Sequence, residues 1–98
     1  MIVKIHERNE GSIVCVVDKE LIGKRFEQND LQLDLSSNFY KGEEKSFEEV
    51  GDLIRNAYAV NLAGERTIRL AIEEGIIDES VVKKISGVPY YQGSIDIV

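Results

Sequence analysis

The chain has 98 residues, of which 43% are hydrophobic and 31% are charged, and its formal net charge is −6. This length predicts one domain with a single hydrophobic core, and the interspersed charges exclude an intrinsically disordered protein. Because acidic residues outnumber basic residues in both halves of the chain, the composition disfavours salt-driven binding to nucleic acid or to an anionic membrane.

Two further features predict where the protein works. No apolar stretch approaches the roughly 20 residues that a membrane-spanning helix needs, and the N-terminal residues lack the pattern of a secretory signal peptide. The single cysteine, Cys15, cannot form an internal disulfide and lies in an apolar run, which is typical of a reducing compartment. We therefore expect a cytoplasmic protein that does not contact the membrane.

Two β-rich runs near the start of the chain predict a hairpin. The runs Val3–His6 and Ser12–Val17 are joined by Arg8–Gly11, in which asparagine and glycine suit a tight turn. The second run is apolar on both faces, which indicates an interior strand. Alternation in the first run predicts that Val3 and Ile5 face the core.

The next segment predicts a helical turn followed by a second pair of strands. Asp18 is placed to cap a turn over Asp18–Gly23, which the glycine would end. An extended piece is predicted near Lys24–Phe26, followed by a turn at Gln28–Asp30. Leu31–Leu35 then alternates between apolar and polar residues, as a half-solvated strand does.

A capping box at Ser46 marks the start of the main helical region. The Ser46 hydroxyl can accept a hydrogen bond from the amide of Glu49, whose carboxylate can reach back to the serine amide. Helical spacing then continues to Gly75, and an unbroken helix over residues 47–74 would be roughly 42 Å long. Because a compact domain of this size has a radius of gyration of about 13 Å, we expect a break around residues 61–64, with one long helix as the alternative.

Short elements are predicted after the helical region. Gly75 ends the second helix, and Asp78 starts a short turn. Strands are expected at residues 82–85 and 94–98, separated by a loop over residues 87–93. The predicted fold is therefore α+β, a single compact domain in which a mainly antiparallel sheet packs against two helices.

Asn61, Gly64 and Arg66 form the first candidate site. Asn61 lies on a helix face that is otherwise apolar, so its buried amide group would need hydrogen-bond partners. One interpretation is that Asn61 caps the second helix near Gly64. The other is that these residues hold an anion at the helix N-terminus, with the Arg66 guanidinium beside it. Arg69 is expected to form ordinary surface pairs with glutamates four residues away.

A second candidate site combines basic and aromatic residues. Tyr90 and Tyr91 follow Pro89, and adjacent residues of an extended segment point to opposite sides, so one ring should pack in the core and the other should be exposed. With Lys83 on the preceding strand and Gln92 beside the tyrosines, this segment could stack on a base and contact phosphate.

No pattern in the chain predicts catalysis, a metal site or a cofactor. The only histidine, His6, is expected in solvent, and Cys15 in a wholly apolar strand is expected to be a buried, unreactive thiol. One histidine and one cysteine cannot form a structural zinc site. The acidic stretch Glu43–Glu49 lacks the spacing of a calcium loop.

Several motifs resemble a small archaeal family known as domain of unknown function 424. They are Asn61–Arg66, Leu70–Gly75 and Gly87–Pro89 with Gln92, and the similarity extends to the N-terminal segments. The resemblance implies a cytoplasmic archaeal protein with no established activity, whose family is associated with translation genes. Tyr90 departs from it, because the resemblance implies a histidine after the proline.

These observations favour a non-catalytic binding module for RNA or a translation-associated protein. The alternative is an enzyme or small-ligand binder that holds an anionic group between Asn61, Arg66 and the loop over residues 87–92. A third hypothesis is a homo-oligomer in which the glycine-bearing helix packs on a second copy. The missing acid–base constellation favours binding over catalysis.

Overall fold

The computed structural model describes residues 1–95, which contain eight strands and two α-helices. The strands are β1 (Ile2–Arg8), β2 (Gly11–Val17), β3 (Arg25–Gln28), β4 (Leu31–Asp34), β5 (Glu43–Glu44), β6 (Ala59–Ala63), β7 (Lys83–Ile85) and β8 (Val88–Ser94). The helices are α1 (Phe47–Arg55) and α2 (Glu65–Glu73), and short 3-10 turns occupy Lys19–Leu21 and Glu79–Val81.

Six of these strands form one sheet in the order β5-β1-β2-β6-β8-β7. Only β2 and β6 are parallel neighbours; the other pairs are antiparallel. The remaining two strands, β3 and β4, form a separate hairpin. The α+β class with a mainly antiparallel sheet and two helices is confirmed. No helix among residues 1–95 is long and apolar enough to cross a membrane.

Both faces of the large sheet are covered. One core cluster joins the helices to the sheet, through residues such as Ile54 and Ile68 against Val14 and Leu62. The other joins the β3–β4 hairpin and the segment after it to the opposite face. The apolar character of both sides of β2 follows directly, because this strand lies inside the sheet with a layer on each face.

The predicted N-terminal hairpin is confirmed, with one correction. Residues of β1 and β2 pair from Ile2↔Val17 to Arg8↔Gly11. Val3 is buried as predicted, but the Ile5 side chain is 37% exposed. The reason is that β5 pairs with β1 only at Ile2 and Val3, so Ile5 lies on an uncovered edge.

The capping box is confirmed at the start of α1, but the region that follows the helix is not helical. The Ser46 hydroxyl accepts from the Glu49 amide at 3.2 Å, and the Glu49 carboxylate accepts from the Ser46 amide at 3.1 Å. The two helices are separated by strand β6, where we expected only a break. A short apolar run buried on both faces has no periodicity that distinguishes a strand from a helix.

The C-terminal end of α2 is confirmed. Gly75 has φ +73°, its amide donates to the Ile72 carbonyl at 3.0 Å, and the Ile76 amide donates to the Ala71 carbonyl at 2.9 Å. This pair of bonds satisfies carbonyl groups that the helix itself leaves without partners. The short turn after Asp78 is also confirmed.

The predicted loop over residues 87–93 is wrong, because most of it is strand β8. The turn is confined to Ser86 and Gly87, whose φ values of +49° and +82° are those of a two-residue hairpin turn. Pro89 lacks an amide hydrogen, but it is tolerated inside the sheet because its carbonyl alone takes part in hydrogen bonding with the neighbouring segment. This carbonyl accepts a hydrogen bond from the Gly64 amide at 2.9 Å. Of the strand predicted at residues 94–98, only Ser94 belongs to β8, and residues 96–98 lie outside the described part.

Candidate functional site

The N-terminus of α2 is closed by a carboxylate from a distant part of the chain. Asp18, which is 3% exposed, accepts hydrogen bonds from the Arg66 amide at 3.1 Å and the Thr67 amide at 2.9 Å. Its side chain makes no capping bond to the 3-10 turn that it precedes. The predicted local cap is therefore wrong. The two helix amides are already satisfied by an anion that the protein supplies itself.

Asn61 does not cap α2, and that interpretation is wrong. Asn61 lies within β6, in register with Cys15 of β2 and Gln92 of β8. The N-cap residue of α2 is Gly64, which has φ +109°. Register places Asn61 on the sheet face of Cys15, opposite the helices. The predicted arrangement of Asn61 and Arg66 around one anion is therefore not present.

The residues that pair with Asn61 across the sheet, Cys15 and Gln92, make internal contacts. The Gln92 amide group donates to the Tyr40 hydroxyl at 3.3 Å. Burial raises the pKa of the Cys15 thiol to about 11, and a hydrogen bond with Asn61 offsets part of this effect. Burial also raises the pKa of Tyr40. Because Cys15 is 1% exposed, its protonated thiol is not placed to act as a nucleophile.

The prediction that His6 is exposed to solvent is wrong, because its side chain is partly buried. Its ring stacks on Phe39, with centroids 4.3 Å apart, and Nε2 lies 3.0 Å from the Phe39 carbonyl oxygen. The segment after β4, which contains Phe39, packs on the sheet face opposite the helices and covers the histidine. The alternation of residues within β1 gives no information about this distant segment. Among residues 1–95, no cluster of three or more potential ligand side chains could hold a metal ion.

Three of the predicted site residues meet at one cleft. Gly64, Arg66 and Pro89 line a cleft of about 310 Å³, together with Glu20 and Gly87. Arg66 is exposed, and its guanidinium lies 3.7 Å from the Glu20 carboxylate. Arg66 also lines a neighbouring cleft of about 300 Å³ with Ser46 and Phe47, at the start of α1.

Phe47 is the functional candidate that sequence reasoning missed. As the first residue of α1 its side chain is 57% exposed, and it lines a cleft of about 290 Å³ with Arg66, Arg69, Leu70 and Glu73. We call these five residues the Phe47 surface. Helical spacing relative to Val50 and Ile54 would assign Phe47 to the buried stripe. The side chain instead remains mostly exposed at the start of α1, in the cleft between α1 and α2.

Arg69 is available on this surface. The predicted pairs of Arg69 with Glu65 and Glu73 are not formed, and no acidic group of residues 1–95 lies within ion-pair distance of it. The long side chains on an exposed helix face gain little from such pairs, so their absence has a small energetic cost. Arg69 and Phe47 thus line the same cleft, and the Arg69 charge has no ion-pair partner in the described part of the chain.

Lys83, Tyr90, Tyr91 and Gln92 line a separate cleft of about 470 Å³. Tyr90 and Tyr91 point to opposite faces as predicted, but neither ring is fully exposed. The reason is that both sheet faces are covered. The Tyr91 ring lies over Gly93, and its hydroxyl donates to the Ser94 carbonyl at 3.2 Å.

Comparison with known proteins agrees with the resemblance seen in the sequence. No curated protein matches the chain. The crystal structure of an uncharacterized conserved protein from Methanopyrus kandleri is similar, with a TM-score of 0.79 and 20% sequence identity, over 96% of this chain and 90% of that chain. At this identity the similarity shows the fold alone. The chain matches the family described as Protein of unknown function (DUF424) over residues 5–93, and it belongs to that family.

Proposed function

We propose that the protein is a non-catalytic binding module that docks a protein partner through the Phe47 surface. The observation that carries this proposal is the 57% exposure of an aromatic side chain between two helices, beside an arginine that forms no ion pair with residues 1–95. Aromatic residues and arginine are enriched at protein–protein contacts, and they carry much of the binding energy there.

The chemistry of the surface defines the partner. Phe47 and Leu70 offer an apolar centre, so the partner segment inserts an apolar side chain between them. Arg69 lies beside this centre and recognises a carboxylate of the partner. The acidic residues Glu48 and Glu73 near the same groove repel a nucleic-acid backbone, which favours a protein over RNA as the occupant.

RNA stays a prediction from the sequence, with weaker support. Its stacking platform would be Tyr90 and Tyr91, whose rings are each half-buried against a different core cluster. A base stacks on an accessible ring face, and Phe47 is the more accessible aromatic residue. The anion-binding alternative is also weakened, because Asp18 already satisfies the helix amides at Arg66 and Thr67.

The proposal is tested by photo-crosslinking in cells of the source organism. Benzoyl-phenylalanine is placed at position 47, and in a matched control at Leu31, whose side chain is 55% exposed on the β3–β4 hairpin. We expect one discrete protein adduct from position 47 and none from position 31. Mass spectrometry identifies the adduct, and titration with that purified protein gives the dissociation constant.

Charge variants make the result specific to this surface. Combining the crosslinker with Arg69→Glu should lower the adduct yield roughly tenfold. Lys24→Glu, at an exposed lysine preceding β3, should leave the yield unchanged. The proposal is wrong if positions 47 and 31 give the same adducts, if Arg69→Glu has no effect, or if the adduct is removed by ribonuclease.

A further inference from the structure

Strand β8 is longer than its edge neighbour. β7 pairs with β8 only over Val88–Tyr90, whereas β6 pairs with β8 over Tyr90–Ser94. Among residues 1–95, the segment of β8 after Tyr90 therefore has a strand partner on one side only. An edge of this kind presents backbone donors and acceptors that can pair with another chain.

The backbone groups that face the open side can be identified from the ladder. The Gly64 amide donates to the Pro89 carbonyl, and at the other end the Ile95 amide donates to the Tyr58 carbonyl, both at 2.9 Å. Bonding towards one neighbour alternates along an antiparallel strand. Tyr91 and Gly93 consequently bond to β6, and Gln92 and Ser94 direct their amides to the open side.

The described part of the chain, residues 1–95, does not fill this side. Continuing the β7–β8 register would place Val81 opposite Gln92. The Val81 amide instead donates to the Asp78 carbonyl at 3.1 Å, inside the 3-10 turn. The chain therefore diverges from β8 and leaves the cleft of about 470 Å³ between Ser80–Lys83 and Tyr90–Gln92.

We propose that this edge accepts an extended acidic segment of another protein, which adds as a strand beside Gln92 and Ser94. Main-chain hydrogen bonds would hold such a segment, and side-chain contacts would select it. Within residues 1–95, Lys83 is the one charged residue that lines the cleft, so the selected side chain is a carboxylate. The site shares no residue with the Phe47 surface and stands independently of the function proposed above.

Edge lysines can also serve only to prevent aggregation, and their position distinguishes the two roles. Lys83 and Lys84 are the first two residues of β7, and Lys83 pairs with Tyr90, after which the open segment begins. The open segment itself has neither charge nor proline, the usual protection of an edge strand. Lys83 and Lys84 form no ion pair with acidic groups of residues 1–95, which leaves them available to a partner.

Amide hydrogen exchange of the full chain tests the premise. In the free protein the amides of Gln92 and Ser94 should exchange rapidly, whereas those of Tyr91 and Gly93 should be protected by β6. Protection of Gln92 in dilute protein would show that the edge is already covered and would overturn the proposal. Protection that grows with protein concentration would assign the edge to a second copy instead.

Peptide titration tests the occupant. The probe is an acetylated Val-Glu-Val-Glu-Val peptide, and its control is the matching peptide with lysine in place of glutamate. The acidic peptide should bind saturably, shift the amide resonances of Gln92 and Ser94, and slow their exchange. The proposal fails if neither peptide binds, if both bind equally, or if the shifts lie elsewhere.

Two variants separate the backbone and charge contributions. Gln92→Pro removes the outward amide and should abolish peptide binding, whereas Gln92→Ala keeps the amide and should retain it. Lys83→Glu should weaken the acidic peptide about 5-fold and favour the lysine peptide. Equal binding by Gln92→Pro and Gln92→Ala, both confirmed as folded by their amide spectra, would overturn strand addition.

Discussion

Asp18 and Thr67 are joined by two hydrogen bonds, because Oδ1 of Asp18 accepts both the Thr67 amide at 2.9 Å and the Thr67 hydroxyl at 2.8 Å. This contact follows from the one parallel strand pair. β2 and β6 run side by side to Val17 and Ala63, so the residues that follow them, Asp18 and Gly64, are neighbours. A side chain from the end of one strand thereby caps the helix that follows the other.

Removing this carboxylate should destabilise the whole domain. Asp18→Ala leaves the amides of Arg66 and Thr67 without their acceptor in a buried place, and we expect a loss of about 3 kcal/mol in the free energy of unfolding. Urea denaturation measures it. Glu20→Ala, which removes an exposed partner of Arg66, should cost less than about 1 kcal/mol. Equal midpoints for the two variants would contradict the capping role.

The glycine at position 64 is required for two separate reasons. Its φ of +109° and ψ of 154° lie in a region that essentially only glycine occupies, and a Cβ there would overlap the Asp18 carboxyl group. Gly75 has φ +73° and open space around it.

Alanine variants at the two glycines should therefore differ. We expect Gly75→Ala to cost about 1 kcal/mol from backbone strain alone. Gly64→Ala should cost about 3 kcal/mol or more, because steric overlap adds to strain. Thermal unfolding of both variants measures the difference. A Gly64→Ala protein as stable as Gly75→Ala would show that the Asp18 contact is easily displaced.

Three local signals in the sequence predicted the local structure correctly. The capping box at Ser46, the glycine end of α2 at Gly75 and the first hairpin each depend on residues within a few positions of one another. Contacts between residues so close in the chain can be predicted from the residue types and their spacing alone.

The candidate site depended on tertiary contacts and could be predicted only in part. Asp18 lies 49 positions before Thr67, and no local pattern connects them. Gly64, Arg66 and Pro89 were predicted and do meet at one cleft, whereas Asn61 faces the other side of the sheet. Phe47 was missed because spacing describes a helix of indefinite length and ignores its exposed end.

The capping box at Ser46 should contribute measurably to stability. Ser46→Ala removes the hydroxyl that accepts a hydrogen bond from the Glu49 amide, so one of the two bonds of the capping box is lost. The free energy of unfolding should fall by about 1 kcal/mol. Ser37→Ala, at another exposed serine, is the control and should have little effect. Chemical denaturation of both variants decides the matter, and a Ser46→Ala midpoint equal to that of wild type would count against the cap.

Cys15 should be protected from thiol reagents in the native protein. Its side chain is 1% exposed, and burial raises the pKa of the thiol from 9.0 to about 11, so both access and thiolate are limited at neutral pH. A chromogenic disulfide reagent should label it slowly until denaturant is added. Rapid labelling of native protein would show that β2 is open to solvent.

The same raised pKa predicts a loss of stability in alkali. The unfolded thiol releases its proton above pH 9.0, whereas the folded thiol keeps its proton until about pH 11. The contribution of Cys15 is therefore complete below pH 9.0 and is lost as the pH rises to about 11, by at most about 1.4 kcal/mol per pH unit. Tyr40 acts in the same direction, because burial raises its pKa as well. Urea unfolding between pH 8 and 11 should thus show a shallower decline for Cys15→Ala than for wild type, and parallel curves would exclude Cys15 as a cause.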